Sequence, residues 1–353
     1  MDMASTFDLL TLALLTDVGP RRAAALRARG PLEGLLAHPD DHADVLPAEA
    51  REELRSGAAR KRAQEELKIA ERRGVRIVGL DEEDYPVLLK HIFDPPPVLY
   101  VQGGVAGDEG AFSIAVVGAR KATPAGGALA RQLARELAGA GATIVSGLAR
   151  GIDSEAHRGA LEGGGRTVAV LGSGLDCLYP PENADLASRI ARSGAVVSEF
   201  SFGTGPHAGN FPRRNRVIAG WGRGVVVIEA QARSGALVTA RCALDEGREV
   251  MAVPGHPSQA NAEGTNQLLR DGAALVRGAA DVADELGWVM PVTEDDASSS
   301  DDLVAVLRRD APVGLDELQA RSGRSPGELL ARLAELELES RVRRLPGGLF
   351  VRR

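Results

Sequence analysis

Between residues 65 and 288 the chain alternates near-continuous apolar runs with amphipathic stretches. VRIVGL, VLYV, SIAVV, ATIV, RTVAVL, AVVSEF, GVVVIEA and REVMAVP are rich in Val and Ile, and helical patterns separate most of the later ones. Runs of this kind mark strands covered on both faces, so the pattern predicts an α/β domain with a doubly wound, mainly parallel sheet. Such sheets bind ligands outside the carboxyl ends of their strands.

The flanks read differently. Residues 1–64 carry short helical patterns: Leu9, Leu10, Leu12, Leu14 and Leu15, a turn at Asp17-Val18-Gly19-Pro20, then Ala23, Ala24 and Leu26. A helix, a Gly turn and a second helix opening on Pro resemble a SAM or helix-hairpin-helix module, in which turn N–H groups hold a phosphate. Arg21, Arg22, Arg27 and Arg29 would supply charge, but the second turn glycine is missing; a helical protein-interaction module is the competing reading. PVTEDDASSSDD, 291–302, is acidic, Ser-rich and aperiodic, so a linker is placed at 289–300. Beyond it, 301–353 reads as three helices (DDLVAVLRRD, LDELQARSG, SPGELLARLAELELE) and a hairpin turning at Pro346-Gly347-Gly348, a winged-helix pattern. Its third helix presents Glu328, Glu335, Glu337 and Glu339 against Arg332 alone, which repels phosphate. Protein interaction is therefore expected over duplex reading, although Arg341, Arg343, Arg344, Arg352 and Arg353 leave the wing able to touch a backbone.

The strand ends carry the candidate chemistry. Gly118-Ala119-Arg120 closes SIAVVGAR, and Ser146, Gly147, Arg150 and Gly151 close the run GATIVSGLARG. Glycine permits tight turns, backbone N–H groups there can face an anion, and arginine adds a planar donor suited to phosphate. Thr123-Pro124 caps and starts a helix. The alternative at this corner has Gly118 merely turning the chain and Arg120 paired with a carboxylate. A third corner, Phe211-Pro212-Arg213-Arg214-Asn215-Arg216, opens a helix with cations in its first turn, where each opposes the helix dipole by about 0.3 to 1 kcal/mol. A bound anion would explain them. Phe211 offers a ring for a nucleobase, or else a hydrophobic staple. Ser234-Gly235 adds a fourth helix start at the same edge. Asp153 and His157 lie one helical turn apart, but with no third ligand they read as a helix-start acceptor and a packed histidine rather than a metal pair.

Composition narrows the rest. The 353 residues, 44% hydrophobic, support a sizeable core in two or three domains. Cys177 and Cys242 are the two cysteines, far apart, which argues against disulfides or a zinc site and fits a reducing cytoplasm. No apolar run reaches membrane-spanning length and the N-terminus lacks signal-peptide features, so no membrane partner is expected. The net charge of −7 repels nucleic acid, so DNA binding requires a focal basic patch. There is no G-x-x-x-x-G-K-[ST] loop and no G-x-S-x-G elbow; GSGLDC, 172–177, stops short of G-x-G-x-x-G. No catalytic residue, cofactor or metal is assigned.

Taken together, VVGARKATPAG, SGLARGIDSEAH, LGSGLDCLYPPEN, SEF followed by FPRRNRVIAG, EAQARSGALVTA and VPG resemble, in order and spacing, the DNA processing protein A family (DprA, also called Smf) across residues 65–288. The flanking helical module and winged helix are similar to that family's optional domains. The resemblance implies a Rossmann-like fold that binds single-stranded DNA in a basic pocket, forms a homodimer and loads the RecA recombinase during natural transformation, with no enzymatic activity. The implied pocket is Gly118 and Arg120, then Ser146, Gly147 and Arg150, then Phe211, Arg214, Asn215 and Arg216. The family often places a basic residue shortly before that Phe, whereas here PHAGNF offers His207. The fold is also similar to LOG-type phosphoribohydrolases, which would make the chain a nucleotide-processing enzyme. Their P-G-G-x-G-T-x-x-E turn is absent from EAQARSGALVTA.

Overall fold

All the apolar runs become strands of one sheet in the computed structural model, which describes residues 5–105, 107, 112–290, 303, 307, 312–338, 342–345 and 347–352. The strands are β1 (Arg76–Gly79), β2 (Val98–Gly103), β3 (Ser113–Val117), β4 (Thr143–Ser146), β5 (Thr167–Val170), β6 (Ala195–Ser198), β7 (Gly224–Val227) and β8 (Glu249–Ala252), with a two-residue β9 (Ala274–Leu275) that the pattern did not predict. Their order is β1-β2-β6-β5-β4-β3-β7-β8-β9. Every pairing is parallel except β1 with β2 and β2 with β6. The expected mainly parallel α/β sheet is thus observed.

Among the described residues, five α-helices precede the sheet: α1 (Thr6–Ala13), α2 (Pro20–Arg27), α3 (Leu32–Ala37), α4 (Ala48–Arg55) and α5 (Ala58–Arg73). A short α6 (Val87–Lys90) lies between β1 and β2. Then α7 (Pro124–Gly139), α8 (Ile152–Glu162) and α9 (Ala184–Ser193) connect β3 to β6, α10 (Asn210–Trp221) crosses back to β7, and α11 (Gly235–Asp245), α12 (Glu263–Arg270) and α13 (Ala279–Glu285) follow. The chain winds one way from β3 through β4 to β6, then the other way from β7 to β9. Between β3 and β7 lies the switch point, where doubly wound sheets open a crevice.

Period-two alternation divides the core. Ile114 and Val116 face α7, α8 and α13, whereas Ala115 and Val117 share a cluster with Val217, Ile218 and Trp221 of α10 and Ala236, Ala240 and Ala243 of α11. The N-terminal leucines Leu9, Leu10, Leu12 and Leu26 belong to that second cluster. The helical segment is therefore continuous with the sheet's core, and residues Met1–Met290 form one compact unit. The boundary expected near residue 64 falls inside α5.

Two interior polar groups serve the scaffold. His157 is fully buried, its Nδ1 2.7 Å from Thr167 Oγ1. Thr167 spends its own proton on Ile144 O, so His157 donates from Nδ1. Burial lowers its pKa to about 3. Asp153, one turn earlier, accepts from Gly147 N at 3.2 Å and Ala149 N at 3.4 Å. Both are structural, and among the described residues no group of three His, Cys, Asp or Glu side chains gathers for a metal.

Pro291–Arg353 form the second unit. It contains β10 (Val313–Gly314), α14 (Leu315–Ser322), α15 (Pro326–Leu338), β11 (Val342–Leu345) and β12 (Leu349–Arg352), with β12 between β10 and β11. Of the first expected helix only Leu303 and Leu307 are described, and both are buried with Leu318, Leu329 and Leu333. On α15, Glu328, Glu335 and Glu337 are exposed, and Arg332 pairs with Glu335 at 2.6 Å. Arg343 and Arg344 are exposed on the wing. Most of the expected linker, together with Glu339, Arg341, Pro346 and Arg353, lies outside the described residues.

Candidate nucleic-acid interface

A cleft of about 750 Å³ opens at the switch point. Gly118, Arg120 and Lys121 after β3 form one wall, Phe211, Pro212, Arg214 and Asn215 at the start of α10 form another, and Gln231, Arg233, Ser234 and Gly235 after β7 form the third. A small recess joins it, lined by Arg120, Gly147, Arg150, Tyr179, Phe211 and Arg214 among others. The cleft lining sets Arg120, Lys121, Arg214 and Arg233 against the single carboxylate of Asp153. This is a focal basic site in a chain of net charge −7.

These cations differ in their surroundings. Arg120, Lys121 and Arg233 are exposed, and among the described residues no carboxylate pairs with them. Arg120 lies over the Phe211 ring, its guanidinium carbon 5.2 Å from the centroid. The alternative in which Arg120 pairs with a carboxylate is not what the structure shows. Arg150 pairs with Glu182 in solvent and sits 5.8 Å from the centroid of the Tyr179 ring.

The α10 arginines are held from within. Arg214 is 5% exposed and donates to Gly147 O at 2.8 Å, to Val170 O, and from Nε to Asn215 Oδ1 at 3.3 Å. Burial lowers its pKa to about 10, against the attraction of Asp153, so it stays charged at neutral pH. Burial in turn pushes the Asp153 carboxyl up. Arg216 pairs with Glu199 at 2.7 Å and with Asp94 at 3.4 Å. Arg213 shares Glu199 at 3.2 Å while its side chain remains 45% exposed. Protein acceptors thus already face these cations, carbonyls for Arg214 and carboxylates for Arg213 and Arg216.

The other expected positions divide as well. Ser146 is buried and donates to Val116 O at 2.6 Å, tying β4 to β3, so its hydroxyl is turned away from the cleft. Its neighbour's N–H is occupied by Asp153 rather than presented to a ligand. The next residue, Leu148, takes a left-handed backbone at φ 57°, held by Asn183 Nδ2 donating to Leu148 O at 2.8 Å. A non-glycine residue in that region stores strain where surrounding contacts over-determine it. Ser234 caps α11 through Ala236 N at 3.2 Å, and Asn215 Nδ2 donates to Gly235 O at 3.2 Å, joining α10 to α11. At the start of α7 the Thr123 cap is met by Glu229, which accepts from Thr123 N at 2.9 Å, so that N-terminus already holds a carboxylate.

Close approach also explains glycines around the cleft. A Cβ on Gly147 would stand 2.6 Å from Arg214 Nη2, and one on Gly172 would stand 2.8 Å from Phe211 Cδ1. GSGLDC therefore supplies the surface against which the Phe211 ring is set, which accounts for its glycine without a dinucleotide. Phe211 is half-buried and lines the cleft, so it is not a staple closed inside the core. His207 is exposed and outside the lining. Sequence reasoning passed over Tyr179, Lys121 and Arg233. Tyr179 sits in an irregular loop without periodicity, and its one signal was an aromatic residue in a chain only 3% aromatic.

In the N-terminal helices, Gly19 and Pro20 do open α2. Its arginines are engaged internally: Arg22 with Asp17 O, Arg27 with Asp81 at 2.7 Å, Arg29 with Asp44, and Arg21 over the exposed Phe93 ring.

Residues 76–287 match the family model described as DNA recombination-mediator protein A, and 289–348 match the DprA winged helix domain. Protein Smf of Escherichia coli is 40% identical over 285 residues, covering 77% of this chain and 76% of that protein. DNA processing protein DprA of Streptococcus pneumoniae is 42% identical over 205 residues, 58% of this chain and 72% of that one. The X-ray structure of the S. pneumoniae protein superposes with a TM-score of 0.68 at 33% identity, over 80% of this chain and 98% of that one. A structure of DNA processing protein A from Helicobacter pylori, reported for its single-stranded DNA binding mode, superposes with a TM-score of 0.53 at 30% identity, over 60% and 95%.

Proposed function

The chain belongs to the DNA recombination-mediator protein A family, and we propose on that premise that it binds single-stranded DNA in the switch-point cleft. In this reading it protects incoming strands and loads the RecA recombinase in natural transformation, acting in the cytoplasm as a homodimer and without catalysing a reaction. The observation that carries it is the Phe211 ring lining the cleft with Arg120 laid over it. A base stacks on the ring, unpaired cations meet the phosphates, and neither contact suits a stiff duplex. No helix among the described residues is long and apolar enough to cross a membrane.

Fluorescence anisotropy with single-stranded, blunt duplex and mononucleotide ligands over a salt series tests the reading. Tight, salt-dependent binding of the single strand and weak binding of the duplex are expected. Equal affinity for both would overturn it, as would release of free base from a nucleoside monophosphate, the reaction of the nucleotide-processing alternative.

A further inference from the structure

Phe211 does not stand alone. The Tyr179 ring lies beside it, centroids 6.0 Å apart and planes inclined at 53°. Each ring carries a guanidinium over a face, Arg120 at 5.2 Å on Phe211 and Arg150 at 5.8 Å on Tyr179. Both rings are half-buried and border the recess, which at about 20 Å³ holds roughly one water and no base. The guanidiniums thus occupy positions that nucleobases would take.

Arg150 can be displaced at little cost. Its pair with Glu182 is exposed on both sides, 54% and 49%, and exposed pairs of this kind contribute little. We propose that Tyr179 and Arg150 form a second stacking subsite for the nucleotide adjoining the one on Phe211, Arg150 leaving Glu182 for that nucleotide's phosphate. This rests on the single-stranded DNA reading above. The ring spacing gives the subsite a selectivity: 6.0 Å is well over the step of about 3.4 Å between stacked bases. Bases on the two rings are therefore unstacked from each other, an arrangement open to a flexible strand and closed to a helix.

The test is a competition series with thymidine oligonucleotides of one to six residues against a labelled strand. In the wild type, affinity should step up from one thymidine to two. Tyr179→Leu should shrink that ratio by about 5- to 150-fold, the value of one base on one ring, and Tyr179→Phe should restore it. Oligothymidine should also compete better than oligoadenosine, which must first unstack. An equal loss at every length for a Tyr179→Leu protein of wild-type melting temperature would overturn the subsite, as would an unchanged ratio. Should that variant fail to fold, Tyr179→Phe decides with 2-aminopurine as the second base of a two-base strand. Quenching in both wild type and Tyr179→Phe supports the subsite, and its absence in both overturns it. Failure of the wild type to bind any oligothymidine would instead refute the parent reading.

Discussion

The first turn of α10 and the corners after β3 and β4 both bring arginines to the carboxyl edge of the sheet, and they differ in what the fold sets beside them. Arg214 and Arg216 are 5% and 8% exposed and are held by carbonyls, Asp153, Glu199 and Asp94. Arg120 and Arg150 stand exposed over aromatic rings, Arg120 with no carboxylate pair among the described residues and Arg150 in an exposed pair with Glu182. Similar residues thus do two jobs: the inner set builds the wall that carries Phe211, and the outer set remains available to an anion. Stability and pH should act on the inner set, and salt and ligand on the outer.

Arg216→Ala gives the largest effect that can break this division. It leaves Glu199, whose side chain is 2% exposed, without its closest partner, and removing one member of a buried pair costs about 3 to 5 kcal/mol. Thermal and denaturant unfolding should show that loss. A variant of wild-type stability with weakened DNA binding would move Arg216 to the outer set.

Phe211→Ala comes next. Loss of a stacking ring should weaken single-strand binding by about 1 to 3 kcal/mol while leaving the slope of log affinity against log salt unchanged, since no counterion release depends on the ring. Wild-type affinity in a stable variant would remove the ring from the site.

The buried scaffold should also respond to acid. His157 is held neutral with a pKa of about 3, while the unfolded chain titrates near 6.5. Below pH 6.5 the unfolded state takes up a proton that the folded state refuses, so this contribution is full above 6.5 and is lost as the pH falls toward 3, by up to about 1.4 kcal/mol per pH unit. Melting curves from pH 7 to 4 should therefore fall less steeply for His157→Gln than for the wild type. Parallel curves would contradict the assignment.

The smallest effect concerns the winged-helix unit. Its α15 exposes Glu328, Glu335 and Glu337, so a chain ending at Met290 should bind single strands about as well as the full chain. Abolished binding in a truncated protein that melts normally would place DNA contacts in Pro291–Arg353.

What was legible in the sequence follows the range of the interactions involved. Uninterrupted runs such as SIAVV and GVVVIEA announce covered strands by themselves, whereas β9 is two residues set among glycines and charges and gives no pattern. Gly118, Arg120 and Phe211 were readable because each adjoins the end of a strand or the start of a helix. The direction of the Ser146 hydroxyl was not, since it depends on Val116 in the neighbouring strand. Nor was the fate of Arg216, because Glu199 and Asp94 reach it through folding alone. The union of α1 and α2 with the sheet's core has the same origin: leucine spacing tells that a face is buried, not against what.

The central claim is that the exposed arginines at the cleft meet phosphate. It is tested most directly by the salt dependence of single-stranded DNA affinity in Arg120→Ala beside the wild type. If Arg120 neutralises one phosphate, the slope of log affinity against log salt should fall in magnitude by roughly 0.7, with stability held within about 0.5 kcal/mol. An unchanged slope in a normally folded variant would contradict the account.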